Sequence, residues 1–212
     1  MNITSKDLAI ENFYEDGWLK FDLRWGVIRN RAGTREVVLN SDLLQGIYAA
    51  LVDEAGPAWG VILKRCGKIW GSRLAKRMDK EFSDFYRQPF HEQRLGQFAF
   101  LIQEYFRRSG WGGLDLDLTQ TLQTGLILAS CRNTIFGSVI KGEEEPVDFI
   151  VAGILASVFT HAAARELECY QTECISLGAP KSQFVIGVPD RLAKVPGLIR
   201  QKVSHDAIVA QI

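Results

Sequence analysis

The sequence predicts one α+β domain, and three observations carry that expectation. Residues 147–167 are apolar on nearly every helical side, as a central helix must be. The segment after them, through Pro189, reads as a two-stranded hairpin holding Cys169 and Cys174. Leu114–Thr121 alternates leucine with aspartate at its start, the period-2 signature of a half-exposed strand. Amphipathic helical patterns fill much of the remainder, and no repeat, low-complexity stretch or long linker divides the chain.

A chain of 212 residues can bury roughly 70% of its unfolded surface, so neither a disulfide nor a metal is needed for stability. Its 47% apolar and 24% charged residues are ordinary for a globular protein. Twenty-five basic against 25 acidic residues leave no net charge, which argues against a dedicated nucleic-acid binder. The first residues lack a basic region followed by an apolar run, so no secretory signal is expected. The longest apolar run, Phe149–Phe159, falls short of the about 20 residues that span a bilayer. Cysteines at 66, 131, 169 and 174 then predict reduced thiols and a cytoplasmic protein.

Residues 1–16 are polar and aperiodic, an extension expected to dock loosely or to be partly mobile, ahead of a single domain over 17–212. Trp18–Asn30 alternates around Leu19, Phe21, Leu23, Trp25 and Val27 and predicts a strand, weakened by Gly26. Arg31–Thr34 is a turn, and Glu36–Leu39 a short return strand. Asn40, Ser41 and Asp42 offer caps for a helix to about Glu54, with Leu43, Leu44, Ile47 and Leu51 at helical spacing. Gly56-Pro57 ends it and opens the next, since proline suits a first helical position. That helix, Ala58 to about Phe82, sets Trp59, Ile62, Leu63, Cys66, Ile69, Trp70 and Leu74 on one side. Its other side is basic: Lys64, Arg65, Lys68, Arg73, Lys76, Arg77 and Lys80. Gly60, Gly67 and Gly71 within it each cost about 1 kcal/mol against alanine and make sense only where a neighbour or a ligand approaches the backbone.

Phe90–Arg108 predicts a third amphipathic helix, with Leu95, Phe98, Leu101, Ile102, Tyr105 and Phe106 as its stripe. Gly125–Ser130 is a partner strand for Leu114–Thr121. Asn133–Ile140 reads equally as a strand or a short helical piece. Lys141–Glu145 is a charged loop, and beyond Pro189 one short helix is expected near the end.

The small residues of the central helix (Ala152, Gly153, Ala156, Ser157 and Ala162–Ala164) let another backbone or a flat ligand come close. His161 lies in line with Ile150, Ile154 and Ser157 and reads two ways. It is a core histidine hydrogen-bonded to a carbonyl or a neighbouring side chain, or an axial ligand or polar contact for a bound pigment or other small molecule, imidazole being the commonest metal-ligating side chain. Cys169 and Cys174, five apart, would face opposite sides of a regular strand and read as buried free thiols.

The small-residue helix, Gln171–Cys174, Gly178-Ala179-Pro180 and Gln183–Ile186 together resemble the 4-vinyl reductase domain family, most specifically over 147–188. The resemblance implies an α+β fold in which a twisted antiparallel sheet packs against several helices around an apolar cavity, as in ligand-sensing domains of bacterial regulators and in TRAPP subunits. It also implies binding of a hydrophobic small molecule, often by a dimer. Many members hold zinc through an upstream cysteine, a glutamate three residues before a second cysteine, and a third cysteine eight residues further on. Here Cys174 matches the second cysteine, Gln171 stands for the glutamate, Ser182 for the third cysteine, and the upstream position falls near Asp148. No zinc is therefore expected, and the hairpin should be held by packing and by its turn at Gly178-Ala179-Pro180.

The stand-alone, zinc-less form resembles cyanobacterial members. This implies a non-catalytic carrier of a tetrapyrrole or chlorophyll precursor in chlorophyll synthesis or photosystem assembly, working in the cytoplasm or at the thylakoid surface. Trp59, Trp70, Phe98, Ile102, Phe149 and Phe159, with Ser157 and His161, are the candidate ligand contacts; plain core packing is the competing reading of the aromatic set. The alternative function is a ligand-free assembly factor. It would rest the basic face of Lys64, Arg65, Lys68, Arg73, Arg77 and Lys76 on a photosystem assembly protein, another acidic partner or an anionic membrane surface, unless that face is simply solvated. A true reductase is not expected, because no strand leads into a G-x-G-x-x-G turn and, with three histidines in all (His91, His161 and His205), the stock of acid–base groups is thin.

Overall fold

The computed structural model describes residue 8, residues 10–89 and residues 95–212. Its first elements form a small antiparallel sheet of β1 (Leu19–Asp22), β2 (Val27–Asn30) and β3 (Arg35–Glu36), in that order. The single strand expected over Trp18–Asn30 is thus a hairpin. Gly26 takes a φ of +60°, a left-handed conformation that glycine adopts without a Cβ penalty, so the chain reverses there. The turn at Arg31–Thr34 forms as expected, with the Asn30 N–H donating to the Thr34 carbonyl at 2.8 Å.

Helix α1 (Ser41–Ala55) begins where the Asn40 side chain accepts the Leu43 N–H at 3.1 Å. A short 3-10 turn at Gly56–Ala58 leads into α2 (Trp59–Tyr86). α3 (Leu95–Arg108) follows; the start expected for it, Phe90–Arg94, lies outside the described residues. The expectation of an amphipathic stripe on α3 needs correction, because every residue from Phe98 to Phe106 is buried. Two polar members of that run are satisfied inside: the Leu116 N–H donates to Gln103 Oε1 at 3.0 Å, and Asn12 Nδ2 to Glu104 Oε2 at 3.1 Å.

The second sheet is built from β4 (Gly113–Asp117), then, after the single turn α4 (Thr121–Thr124), from β5 (Ile127–Arg132). α5 (Ile135–Val139) settles Asn133–Ile140 as helical. α6 (Phe149–Ala163) is the central helix, followed by β6 (Glu168–Glu173), a 3-10 turn at Ile175–Leu177, and β7 (Ser182–Gly187). The strand order is β4-β5-β7-β6, antiparallel throughout. Instead of one terminal helix there are three: α7 (Pro189–Leu192), α8 (Val195–Arg200) and α9 (His205–Val209). Their buried residues, Leu192, Val195 and Ile208, pack with Leu126 and Val185 of the sheet region. Proline and short length hide this from a periodicity reading.

The fold is thus α+β, with an antiparallel sheet packed against several helices. α2 and α6 make the most extensive contact between helices, and glycine allows it. A Cβ on Gly67 would lie 2.3 Å from the Ile150 carbonyl oxygen, and one on Gly153 would lie 2.3 Å from that of Lys64. The inner line of α2 is therefore Gly60, Leu63, Gly67, Gly71, Leu74 and Met78, all buried. Cys66 and Ile69, expected on that side, are exposed. The expectation of loose docking is corrected for the end of the extension: Phe13 and Tyr14 are core residues, Phe13 meeting Phe82 edge-on at 5.2 Å and Tyr14 meeting Trp18 at 5.1 Å. Among the described residues no helix is long and apolar enough to cross a membrane.

Candidate functional site

Beside the α2–α6 contact and the edge strand β6, a cavity of roughly 670 Å³ opens. α2 contributes Gly60, Val61, Lys64, Arg65 and Lys68 to it. The lead-in and first turn of α6 contribute Glu145, Pro146, Phe149 and Ala152, and β6 contributes Glu168 to Gln171. Pro189 and, from α8, Pro196, Ile199 and Arg200 close the remaining side. Gly60, Pro146, Ala152, Cys169 and Gln171 are buried and make the floor; Val61, Arg65, Glu145 and Arg200 are exposed and make the rim. Ala152 on the cavity side of α6 leaves room that a larger side chain would fill.

The charges follow from the strand–helix register. Glu168, the first residue of β6, faces two turns of α2. Its carboxylate pairs with Lys64 Nζ at 3.1 Å and closely with Lys68 Nζ. Burial pushes the Glu168 carboxyl up, but the two ammoniums outweigh it and hold the group below the ordinary glutamate range. Lys64 also lies 3.9 Å above the Tyr170 ring, a cation–π contact. Burial pushes the Cys169 thiol up to about 12, so it is a protonated, unreactive wall residue. Arg65 and Arg200 have no carboxylate partner among the described residues.

Of the contacts expected from sequence, the structure brings Phe149 to the cavity and places the others elsewhere. Trp59 is buried between Tyr48 and Phe149, each at 5.1 Å edge-on. Trp70 stacks at a tilt on Trp111 at 4.8 Å. Phe98 and Phe159 pack edge-on at 5.4 Å, and Ile102 joins them in the main core. Ser157 seals the helix crossing, its Oγ donating to the Lys68 carbonyl at 2.9 Å. His161 of α6 takes the hydrogen-bonded role and not the ligand role: its Nε2 stands 3.2 Å from Asp79 Oδ2 of α2, a neighbouring side chain, but the pair is half-exposed and outside the core.

The basic face divides in the same way. Lys64, Arg65 and Lys68 line the cavity, Arg77 pairs with Glu36 at 3.4 Å and lies 3.9 Å from Glu81, and Arg73 and Lys76 are exposed. Among the lining residues that sequence reasoning missed are Val61, Glu168, Tyr170, Pro196, Ile199 and Arg200. A signal existed for the α2 wall alone, where Gly60, Lys64 and Lys68 recur every four residues on one stripe.

The four positions that correspond to the family's zinc ligands do converge, and they are occupied by a hydrogen-bond network. Asp148 Oδ2 accepts from Ser182 Oγ at 2.7 Å, Thr134 Oγ1 at 2.8 Å and Gln171 Nε2 at 2.8 Å, and Oδ1 accepts from the Gly137 N–H at 3.1 Å. Gln171 Oε1 in turn accepts the Asp148 N–H at 2.8 Å, and the Cys174 Sγ lies 3.8 Å from Asp148 Oδ2. Asp148 occupies the N-cap position of α6 yet turns its side chain away from the helix to serve this network. Burial pushes its carboxyl above the ordinary range, against the pull of Ser182, Thr134, Gly137 and Gln171. A donor set of one thiol, one amide, one hydroxyl and one carboxylate already saturated by four donors does not fit zinc, whose structural sites use thiolate and imidazole. This corrects the expectation for the hairpin: the Asp148 network, and not packing and the turn alone, joins β6, β7, α5 and α6.

Residues 127–188 match the family model of the 4-vinyl reductase domain. The phenol-responsive sensory domain of the transcription activator PoxR, solved with phenol, aligns with a TM-score of 0.67 at 18% identity, over 95% of this chain and 98% of that one. A trafficking protein particle complex subunit 3 from Naegleria fowleri, solved covalently bound to palmitic acid, aligns at 0.50 and 17% identity, over 70% of this chain and 94% of that one. A vinyl-4-reductase family protein from Methanocaldococcus jannaschii aligns at 0.46 and 17% identity, over 68% of this chain and 75% of that one. No curated protein matches the sequence significantly. At these identities the alignments with the sensory domain and the trafficking subunit establish the fold.

Proposed function

We propose that this chain, which matches the 4-vinyl reductase domain over residues 127–188, is a non-catalytic binding protein for a hydrophobic small molecule held between α2, α6, β6 and α8. The observation that carries the reading is the cavity of roughly 670 Å³, within the range of about 300–1,000 Å³ typical of ligand sites. It exceeds by several fold the about 150 Å³ that accommodates benzene, so it has room for a ligand larger than a single aromatic ring. The likeness to a sensory domain solved with phenol and a trafficking subunit solved with palmitic acid supports an apolar ligand.

Binding without catalysis agrees with the chemistry of the lining. Glu168 is locked between two ammoniums and the Cys169 thiol is pushed up to about 12, which leaves neither a base nor a nucleophile poised near neutrality. A tetrapyrrole or chlorophyll precursor is the candidate ligand, in chlorophyll synthesis or photosystem assembly. Since the lining contains no histidine, it would be held by apolar packing and by the rim charges. Native mass spectrometry of protein from its own host tests this. The expected result is one bound ligand per cavity with visible absorbance. Protein of unmodified mass, colourless and unchanged on titration with a chlorophyll precursor, would overturn the tetrapyrrole assignment.

A further inference from the structure

Resting on the reading of this cavity as a ligand site, we infer that its ligand is an amphipathic anion: an apolar body with one acidic head group, taken up from solution. Four cations line the cavity (Lys64, Arg65, Lys68 and Arg200) against two carboxylates, Glu145 and Glu168. Glu168 alone answers both Lys64 and Lys68, so one negative charge balances two ammoniums. Arg65 on α2 and Arg200 on α8 face the cavity from different walls with no carboxylate partner among the described residues.

The position of these charges is as informative as their number. Gly60 and Lys68, both in the lining, are separated by roughly 12 Å along α2 at 1.5 Å per residue. At the Gly60 end the wall is mainly apolar, with Val61, Pro146 and Phe149 beside the rim residue Glu145; at the Lys68 end it is ionic, with Lys64, Lys68 and Glu168. A ligand that fills the apolar end must cover the ionic end and strip water from it. Covering excess cations with a neutral molecule leaves their charge uncompensated in a poorly solvated place, which is costly. An acidic head group compensates that charge, and the Arg65 and Arg200 guanidiniums are shaped to receive it through paired donors.

A matched pair of fluorescent probes tests the inference on the full chain: 1-anilinonaphthalene-8-sulfonate, and N-phenyl-1-naphthylamine, which has the same rings without the sulfonate. The sulfonate is expected to bind about tenfold tighter or more, the scale of one charge-assisted hydrogen bond. The double variant Arg65→Gln/Arg200→Gln should lose that preference and keep its affinity for the neutral probe. Ala152→Trp should weaken both probes, and Lys80→Gln, on the exposed surface of α2, should change neither. Equal binding of the two probes, or a preference that survives the double variant or falls equally in Lys80→Gln, overturns the anionic head group and leaves the cavity reading intact. Failure of the chain to bind either probe, or binding undiminished by Ala152→Trp, overturns the cavity reading itself. Dodecanoate should displace the sulfonate probe, whereas vesicles of phosphatidylglycerol should not sediment the protein; the reverse pattern would move the anion from a soluble acid to a bilayer lipid and overturn the source inferred here.

Discussion

Glu168 is the residue on which the cavity's electrostatics turn. Its side chain is 15% exposed and that of Lys64 19%, so their attraction is screened less than a surface pair would be. Because the folded-state carboxyl lies below the ordinary range, the folded protein holds that proton more weakly than the unfolded chain. The stability it contributes is present above the unfolded value of about 4.3 and is lost as pH falls through the folded value. Thermal melts from pH 7 to pH 3 should therefore show a shallower acid limb for Glu168→Gln than for the wild type. Parallel limbs would mean that the Lys64–Glu168–Lys68 cluster adds nothing to stability. None of this was legible in the sequence, where Glu168 is one of several charges after a helix and its two partners lie 100 and 104 residues earlier.

At the scale of elements, the α2–α6 contact is the feature that everything else accommodates. Both helices were legible, α6 from its all-round apolarity and α2 from its proline start. The face of α2 that turns inward was not. The sequence marks Gly60, Gly67 and Gly71 as points of close approach, and that approach is to α6; hydrophobicity puts Cys66 and Ile69 inside, whereas the close backbone approach makes Gly67 and Gly71 the inner residues. Gly153→Ala tests this directly. Alanine gains about 1 kcal/mol of helix propensity, but its methyl would stand 2.3 Å from the Lys64 carbonyl oxygen, and backbone cannot yield as a side chain can. Net destabilisation of about 2 kcal/mol is expected, near the upper end of overpacking costs less the propensity gain, read as a drop in Tm of roughly 4–8 °C. An unchanged or raised Tm would show that the helices can separate freely. The Asp148 network belongs to the same scale, since a buried carboxyl group with four donors ties two strands to two helices.

For the whole molecule, the cavity is completed by a part of the chain that the family match does not reach. The match ends at residue 188, and Pro196, Ile199 and Arg200 of α8 lie beyond it. Those segments also cover Leu126 and Val185. A chain ending at residue 188 should therefore lose affinity for both naphthalene probes and melt at lower temperature. Because such a chain can fail to fold for lack of its cover, Ile199→Glu in the full chain is the companion variant, expected to weaken the neutral probe while leaving the circular dichroism spectrum unchanged. Full retention of neutral-probe affinity in Ile199→Glu would remove α8 from the site.

The α+β class, the central helix, the partner strands and the divergence of the zinc positions were determined by the sequence alone, because each rests on local periodicity, on a breaker residue or on the side-chain chemistry at a position. The tertiary structure alone decided the rest. It sent His161 to Asp79, folded Trp18–Asn30 into a hairpin, drew Phe13 and Tyr14 into the core, and gathered Asp148, Gln171, Cys174 and Ser182 into one network. It also turned Lys64 and Lys68 from a solvated face into the wall of a cavity. In each case the deciding contact joins residues distant in sequence, and local pattern carries no information about which distant partner a side chain will meet.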